Sequence, residues 1–321
     1  MQEALIQHMA VLEQADLAGS SSVEAKYETQ DAAGSNWTLW LGDSAERLQE
    51  IPPESIGLSV YSPPFLSLYT YSPSIRDMGN SQSAEEFFAH YRWIIEGVLR
   101  ATKPGRLTAV HCAQVAAMKE RDGFIGLKDF RGDLIRAYIA GGWIYHGEVA
   151  IQKNPQIQSI RTHSKGLTFT QLHKDSSWMR PALADYILLF RKPGENPDPI
   201  KCDVTNDEWI EWAEPVWTGI RETDTLNVVE AREDDDERHI APLQLETIRR
   251  CVRLWSNPGD TILSPFAGIG SEGYVSVQCG RKYLGIELKP AYWQVAVKNL
   301  QRAEQLRDSV TVFDLMAQEK D

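Results

Sequence analysis

Short apolar runs alternate with amphipathic stretches along most of the chain. A short apolar run bounded by turn residues predicts a buried strand, whereas apolar residues three and four positions apart predict a helix. The strand pattern occurs at residues 37–41, 56–60, 106–112, 148–152, 185–190, 261–263 and 283–288. Helical patterns separate most of these runs, so the sequence predicts an α/β fold with a mostly parallel sheet.

The clearest helical pattern follows Ser83, a residue type that caps helix N-termini. Apolar side chains recur there at helical spacing, at positions 87, 88, 91, 94, 95, 98 and 99. Further helices are predicted from Ser44 to Leu48, around 134–139, from His239 to Trp255, from the end of the bend at 264–271 to Cys279, and from Pro290 onward.

The same pattern divides the chain into segments. Residues 1–35 are expected to form a helical extension with a polar end. Residues 36–193 and 239–321 are expected to form two halves of one domain, and 194–238, which carries an acidic run at 233–237, a small inserted lobe. Residues 66–82 predict a long loop of the kind that is often functional. The first 18 residues have no long apolar core, so we expect neither a signal peptide nor a membrane span there.

Composition narrows the functional classes. The 321 residues carry a net charge of −12, which argues against indiscriminate binding to phosphate. Any nucleic-acid surface should therefore be local, and the dense basic stretch is 153–180, with Lys153, Arg161, Lys165, Lys174 and Arg180. A solvated basic loop is the alternative. The four cysteines show no C-x-x-C spacing, so neither a zinc site nor a disulfide framework is expected.

Residues 264–271, Ser-Pro-Phe-Ala-Gly-Ile-Gly-Ser, form a glycine-rich bend between a predicted strand and a predicted helix. This arrangement lets a cofactor approach the backbone at a helix N-terminus. Glu287, 19 residues after Gly268, ends the next predicted strand, where a carboxylate accepts hydrogen bonds from ribose hydroxyls. A turn made only for packing is the alternative. NAD is the weaker choice of cofactor, because the three-glycine dinucleotide fingerprint is absent.

A second element, the Ser-Pro-Pro-Phe turn at 62–65, follows the strand 56–60. Two consecutive prolines fix an extended, rigid backbone. The turn would present a hydroxyl, carbonyl oxygens and an aromatic ring at the carboxyl edge of the sheet. Taken alone, it is more often an ordinary proline-containing loop.

Together, the turn at 62–65 and the bend at 264–271 resemble the DNA amino-methyltransferases. These enzymes transfer a methyl group from S-adenosylmethionine to exocyclic nitrogens of bases. The order of the two elements resembles the permuted β group of that family, and the resemblance covers roughly 36–193 and 239–300. It implies a Rossmann-like methyltransferase sheet, mostly parallel with an antiparallel strand and circularly permuted, in which 194–238 is a small target-recognition insertion.

The resemblance also implies roles for individual residues. The Ser62 hydroxyl and the Pro63 carbonyl would accept hydrogen bonds from the target amine, Pro64 would complete the rigid turn, and Phe65 would stack on the base. Tyr61, Tyr69 and Tyr71 would either line the base pocket or pack elsewhere. The implied cofactor-binding residues are Asp43, His239, Gln244, Ser264, Phe266, Gly268, Gly270, Ser271 and Glu287. The family usually has Asp where this chain has Ser264, which predicts a weaker hydrogen bond to the cofactor's ammonium group.

The expected reaction is methylation of N4 of a cytosine flipped out of duplex DNA. Ser62 favours cytosine because adenine enzymes more often carry Asp at this position. N6 of adenine is the alternative, and an inactive cofactor- or DNA-binding module is a more distant one. RNA as the substrate stays open. The expected partner is double-stranded DNA, held by the basic stretch 153–180; a second copy of the chain and a cognate restriction endonuclease are further candidates. We expect no metal, and a location in the cytoplasm of a bacterial or phage-infected cell.

Overall fold

The structure, a computed structural model, describes residues 28–64, 81, 83–117, 119–162, 166–167, 169, 177, 179–226 and 242–318. The strands are β1 (Gln30–Ala33), β2 (Trp37–Leu41), β3 (Ile56–Tyr61), β4 (Thr102–Ala113), β5 (Val115–Ala117), β6 (Gly126–Lys128), β7 (Ile144–Ile151), β8 (Asp185–Arg191), β9 (Val216–Trp217), β10 (Thr261–Ser264) and β11 (Lys282–Glu287). The helices are α1 (Ser44–Arg47), α2 (Ala84–Ala101), α3 (Lys119–Asp122), α4 (Phe130–Ala140), α5 (Pro155–Thr162), α6 (Asn206–Trp212), α7 (Leu245–Trp255), α8 (Ser271–Gln278) and α9 (Pro290–Gln318), with a 3₁₀ turn at Leu48–Glu50.

A nine-stranded sheet forms the centre, in the order β1-β2-β11-β10-β3-β4-β8-β7-β9. Strands β2, β11, β10, β3 and β4 are parallel to one another. Strand β8 is antiparallel to both of its neighbours, β4 and β7, and β1 is antiparallel to β2. The prediction of a mostly parallel α/β sheet with an antiparallel strand is confirmed.

Helices cover both faces of this sheet. On one face, α7, α8 and α9 pack against side chains such as Leu39, Leu58 and Ala109. On the other face, α2 and α4 pack against side chains such as Ile56 and Val110. The parallel strands are therefore buried on both sides, which explains why they read as continuous apolar runs in the sequence.

The parallel strands end together at one edge of the sheet, which we call the carboxyl edge. Strand β3 lies between β10 and β4, with Leu58 paired to both Ile262 and Leu107. The Ser-Pro-Pro-Phe turn follows β3, and the glycine-rich bend follows β10. Two elements about 200 residues apart in sequence therefore leave neighbouring strands at the same edge.

Several elements differ from the predictions. The helix predicted from His239 begins at Leu245, and His239 itself lies outside the described residues. Strand β4 begins at Thr102, four residues before the predicted strand 106–112. Five regions contain elements that the apolar pattern did not predict. They are β1, the β5–β6 hairpin together with α3, helix α5, helix α6, and strand β9. These elements are short or largely exposed, so they have little apolar periodicity to detect.

Part of the predicted lobe at 194–238 lies away from the carboxyl edge of the sheet. Its first part runs along the amino edge, opposite the carboxyl edge. There Asp198 pairs with the buried Arg106 at 3.0 Å, and Asp203 pairs with the buried Arg281 at 2.7 Å. The chain returns to the carboxyl edge at β9, which pairs with the end of β7. These ion pairs hold the first part of the segment at the amino edge, and the assignment of 194–238 to target recognition stays a prediction.

No helix within the described ranges is long and apolar enough to cross a membrane. The predicted helical extension at 1–35 falls mostly outside the described residues; from Gln30, strand β1 pairs with β2 and extends the sheet.

Candidate active site

The glycine-rich bend is held against the sheet by backbone hydrogen bonds. The Ala267 N–H donates to the Ile286 carbonyl at 2.9 Å, and the Gly270 N–H donates to the Ala267 carbonyl at 2.8 Å. Gly268 and Gly270 have φ values of +53° and +84°, in the left-handed region that side chains rarely adopt. Gly270 is the residue immediately before α8. The bend therefore directs the chain from β10 into the helix N-terminus, as predicted.

Glu287 closes this bend from the next strand. One carboxylate oxygen, Oε2, accepts from the Gly268 N–H at 2.7 Å, and the other, Oε1, accepts from the Lys289 N–H at 2.8 Å. A carboxylate has about four acceptor positions, so it retains capacity for a hydroxyl donor. The predicted position of Glu287 at the end of a strand beside the bend is confirmed.

Asp43 and Ser44 approach the bend from β2. The Gly42 N–H donates to the Glu287 carbonyl at 2.8 Å, and the Asp43 carboxylate caps α1 by accepting from the Ala45 N–H at 2.9 Å. The Ser44 hydroxyl donates to the Pro265 carbonyl in the bend. The structure therefore brings Asp43 and Glu287 to adjacent positions at the carboxyl edge.

Two features of this half of the protein fit a bound cofactor. A Cβ atom added to Gly268 would meet no atom of the described chain within 4 Å, so the bend faces open space on that side. The buried Oε1 of Gln244, the residue immediately before α7, has no hydrogen-bond partner among the described residues. An open backbone approach and an unsatisfied buried acceptor are what a bound polar ligand would complete.

Three of the predicted cofactor residues have different surroundings from those expected. The side chains of Ser264 and Ser271 are buried, with exposed fractions of 0% and 2%. The Oγ atoms of both serines have no hydrogen-bond partner among the described residues, and the role of Ser264 in receiving the cofactor's ammonium group stays a prediction. The Phe266 ring packs 5.9 Å from the ring of Tyr61 and 6.3 Å from that of Tyr91, so it anchors the bend in the core.

Glu272, which the sequence analysis did not select, lies in the first turn of α8. Burial raises the pKa of its carboxyl to about 8, and the nearby charge of Glu287 acts in the same direction. A carboxyl in such a position holds its proton at neutral pH. The sequence feature that could have identified Glu272 is its position directly after the glycine-rich bend.

The turn after β3 places Ser62 at the carboxyl edge, half-buried, followed by the buried Pro63 and the half-buried Pro64. Phe65, Tyr69 and Tyr71 lie outside the described residues. Tyr61 is fully buried and does not line a pocket. Its hydroxyl contacts that of Tyr138, which lies 2.9 Å from the Tyr91 hydroxyl.

Behind Ser62 lies a chain of polar side chains that the sequence analysis missed. The Ser62 Oγ lies 3.1 Å from His111 Nδ1, and His111 Nε2 lies 3.1 Å from Asp185 Oδ2. Lys153 Nζ lies 2.5 Å from the same Asp185 oxygen. We call Ser62, His111, Asp185 and Lys153 the serine relay.

Strand pairing brings the relay together. His111 lies near the end of β4, which is parallel to β3. Asp185 begins β8, and because β8 is antiparallel to β4, its start lies beside the end of β4. The side chains of His111, Asp185 and Lys153 are exposed by only 10%, 13% and 9%. The relay is therefore largely shielded from water.

The charge of Asp185 is set by two opposing effects. Burial raises the pKa of its carboxyl, but hydrogen bonds and charge interactions, first with His111 and then with Lys153, outweigh burial and hold the pKa below its usual value. Asp185 is therefore ionised at neutral pH. An ionised carboxylate only accepts hydrogen bonds, so it requires a proton on His111 Nε2.

The predicted DNA-facing basic stretch is only partly described. Lys153 is buried against Asp185, so its assignment to phosphate binding is wrong. Arg180 is half-buried and donates from Nη1 to the Gly126 carbonyl at 2.8 Å, which ties this stretch to the β5–β6 hairpin. The side chain of Arg161 and the whole of Lys165 and Lys174 lie outside the described residues. Within the described ranges, no group of three or more His, Cys, Asp or Glu side chains could hold a metal ion.

A permuted, mostly parallel sheet with a glycine-rich bend and a proline turn at one edge defines the class of the amino-methyltransferases. A family model described as "DNA methylase", for N6 and N4 methyltransferases, matches residues 56–298. The chain belongs to this S-adenosylmethionine-dependent family.

Type II methyltransferases are among its similar proteins. M.BglI of Bacillus subtilis is 24% identical over 312 residues, covering 81% of this chain and 84% of the relative. M.Cfr9I of Citrobacter freundii is 46% identical over 63 residues, which are 20% of this chain and 21% of that protein.

Solved structures show the same fold. TTHA0409 from Thermus thermophilus, a putative DNA modification methylase complexed with S-adenosyl-L-methionine, has a TM-score of 0.61 at 23% identity. The match covers 82% of this chain and 94% of that one. The PvuII DNA methyltransferase, described as cytosine-N4-specific, has a TM-score of 0.59 at 18% identity and covers 88% of this chain and 95% of its own.

Proposed function

We propose that this protein is a DNA methyltransferase that transfers a methyl group from S-adenosylmethionine to N4 of a cytosine flipped out of the duplex. The observation that carries the proposal is the position of the Ser62 hydroxyl. It lies at the end of β3, beside the strand that leads into the glycine-rich bend, and it contacts His111 Nδ1 at 3.1 Å.

The residues at the bend fit the cofactor. Gly268 leaves open space beside the backbone, the Glu287 carboxylate has capacity for the ribose hydroxyls, and Gln244 offers an unsatisfied acceptor. Asp43 lies at the end of the neighbouring strand, where it would be near the adenine of the cofactor. His239 would hold the methionine end, as the family resemblance implies. When bound, the cofactor supplies an electrophilic methyl group on sulfur.

The protein's own task is to make a poor nucleophile reactive. The lone pair of an exocyclic amine is delocalised into the base ring, and attack requires the nitrogen to become more tetrahedral. Acceptors on its two hydrogens favour that geometry and bind the transition state more tightly than the ground state. Ser62 Oγ and the Pro63 carbonyl are the proposed acceptors. Pro64 keeps the turn rigid, and Phe65 stacks on the base.

The choice of cytosine depends on Ser62. A hydroxyl stands where adenine enzymes more often carry a carboxylate, and that difference supports N4 of cytosine. N6 of adenine is the second candidate. A relative described as a DNA adenine methyltransferase, YhdJ of Escherichia coli, is 36% identical over 67 residues.

The proposed partner is double-stranded DNA. Flipping the base costs a few kcal/mol, which contacts to phosphates must offset. The net charge of −12 confines those contacts to a local surface. Arg161, Lys165 and Lys174 are the proposed phosphate-binding residues.

Nucleoside mass spectrometry tests this function. The protein is produced in a host without amino-methylated DNA, and its genomic DNA is digested to nucleosides. N4-methylcytosine is the expected product. N6-methyladenine would support the second candidate, and the absence of both from DNA of varied sequence would contradict the proposal.

A further inference from the structure

We propose that His111 takes up, through Ser62, the proton that the target amine loses during methyl transfer, and that Asp185 and Lys153 position and tune His111 for this task. This inference rests on the proposed function and adds to it the route of the proton.

The hydrogen-bond directions follow from the chemistry of the groups. Asp185 is ionised and accepts from His111 Nε2 at 3.1 Å, so a neutral imidazole carries its proton on Nε2. Nδ1 is then an acceptor, and it lies closer to Ser62 Oγ, at 3.1 Å, than the His111 carbonyl oxygen at 3.5 Å, so the hydroxyl donates its proton to Nδ1. With its own hydrogen engaged, the Ser62 oxygen keeps its lone pairs for the amine that is proposed to lie at the carboxyl edge.

The step balances in atoms and charge. The amine nitrogen forms a bond to the methyl carbon while the methyl–sulfur bond of the cofactor breaks, and the positive charge passes from sulfur to nitrogen. The nitrogen then gives one proton to Ser62 Oγ as the Ser62 proton moves to His111 Nδ1. Nitrogen ends neutral and methylated, Ser62 is again a hydroxyl, and His111 is an imidazolium beside Asp185.

Lys153 offsets part of the negative charge of Asp185 in the serine relay. Asp185 from β8 contacts His111 Nε2, and Lys153 after β7 contacts the same carboxylate oxygen. The carboxylate in turn supports the imidazolium that forms in the proposed step.

The relay also explains how a serine can occupy this position. A carboxylate is an acceptor without help, but a hydroxyl can equally act as a donor. His111 removes that ambiguity by fixing the hydroxyl hydrogen. Asp185 and Lys153 are positioning residues, and His111 acts on the amine only through Ser62.

The first test replaces His111 with Gln and compares it with His90→Gln, a change of an exposed histidine on α2. We expect kcat to fall about 100-fold in the His111 variant, the size usual for loss of general-base catalysis. The KM for DNA and the cofactor dissociation constant should change less than about twofold, since His111 touches neither ligand. Wild-type kcat should fall at acid pH, as expected when a general base becomes protonated, and the variant should lose this dependence. An unchanged kcat and pH profile, in an enzyme that still methylates DNA, would overturn the inference and leave the proposed function standing.

The second test asks whether His111 acts through Ser62. In a double-mutant cycle, His111→Gln should have little further effect on kcat in a Ser62→Ala background. Independent, multiplicative losses would contradict the relay.

A third readout needs no reaction: ¹⁵N NMR of the histidine rings at neutral pH should show His111 protonated on Nε2 only, and Asp185→Asn should change that tautomer. A ring protonated on Nδ1 in the wild type would also contradict the relay.

Discussion

Glu287 and Gly268 are joined by a hydrogen bond that crosses from one strand end to the next. The Gly268 N–H donates to Glu287 Oε2 at 2.7 Å, 19 residues away in sequence. The same carboxylate therefore fixes the bend and faces the space where the cofactor is proposed to bind. The proposed function therefore makes the bend and cofactor binding depend on one charged group, and mutation can separate the two effects.

Glu287→Gln keeps the shape of the side chain and removes its charge. Charge-assisted hydrogen bonds are roughly twice as strong as neutral ones, so we expect cofactor affinity to fall about tenfold or more while the fold is retained. Isothermal titration with S-adenosylhomocysteine measures the effect, and Glu96→Gln on the exposed side of α2 is the control. Equal affinity in the variant and the wild type would exclude Glu287 from the cofactor site.

The two glycines of the bend should respond differently to a methyl group. Gly268→Ala places a Cβ in open space at φ +53°, so it should cost about 1 kcal/mol of stability and obstruct the cofactor. Gly270→Ala places a Cβ 3.1 Å from that of Ala296, so α9 must shift and stability should fall further. Thermal melting and cofactor titration of both variants separate the effects. Unimpaired cofactor binding by the folded Gly268 variant would argue against a ligand at this face.

The sheet was largely predictable from sequence, because buried parallel strands read as apolar runs and the helices between them have a clear period. The positions of Gly268, Gly270 and Glu287 at one edge of the sheet were predictable because local motifs mark them, and their roles in binding a cofactor are proposals. The serine relay was not predictable, since His111 lies within an apolar run and is 49 residues from Ser62 and 74 from Asp185. Only strand pairing brings them together. Lys153 was misassigned because a lysine in a basic stretch gives no sign of a buried carboxylate beside it.

Stability should depend on pH through Glu272. Its carboxyl releases its proton near pH 4.5 when unfolded and, because of burial, near pH 8 when folded. Between these values the folded protein holds more protons, so the free energy of unfolding should fall as the pH rises. Glu272→Gln stays neutral and should therefore become more stable than the wild type by a few kcal/mol at about pH 9, and by almost nothing near pH 4.5. Urea unfolding of both proteins at several pH values measures the difference, and a difference that does not grow with pH would show that Glu272 is ionised in the fold.

Lys153 should not contribute to the salt dependence of DNA binding. Each phosphate contact adds about one to the slope of log affinity against log salt concentration. Lys153→Met should leave this slope unchanged while lowering kcat, because the lysine pairs with Asp185 at 2.5 Å. Lys165→Met, in the proposed DNA surface, should reduce the slope by about one. A reduced slope for Lys153→Met would show that Lys153 contacts a DNA phosphate.

The central claim is tested most directly by methyl transfer from labelled S-adenosylmethionine to duplex DNA, comparing the wild type with Ser62→Ala. The products are identified by nucleoside mass spectrometry, and cofactor affinity is measured in parallel. We predict N4-methylcytosine from the wild type and a large loss of turnover in the variant, with cofactor affinity nearly unchanged. Label in N6-methyladenine alone would contradict the choice of base, and full turnover by Ser62→Ala would contradict the role given to the Ser-Pro-Pro-Phe turn.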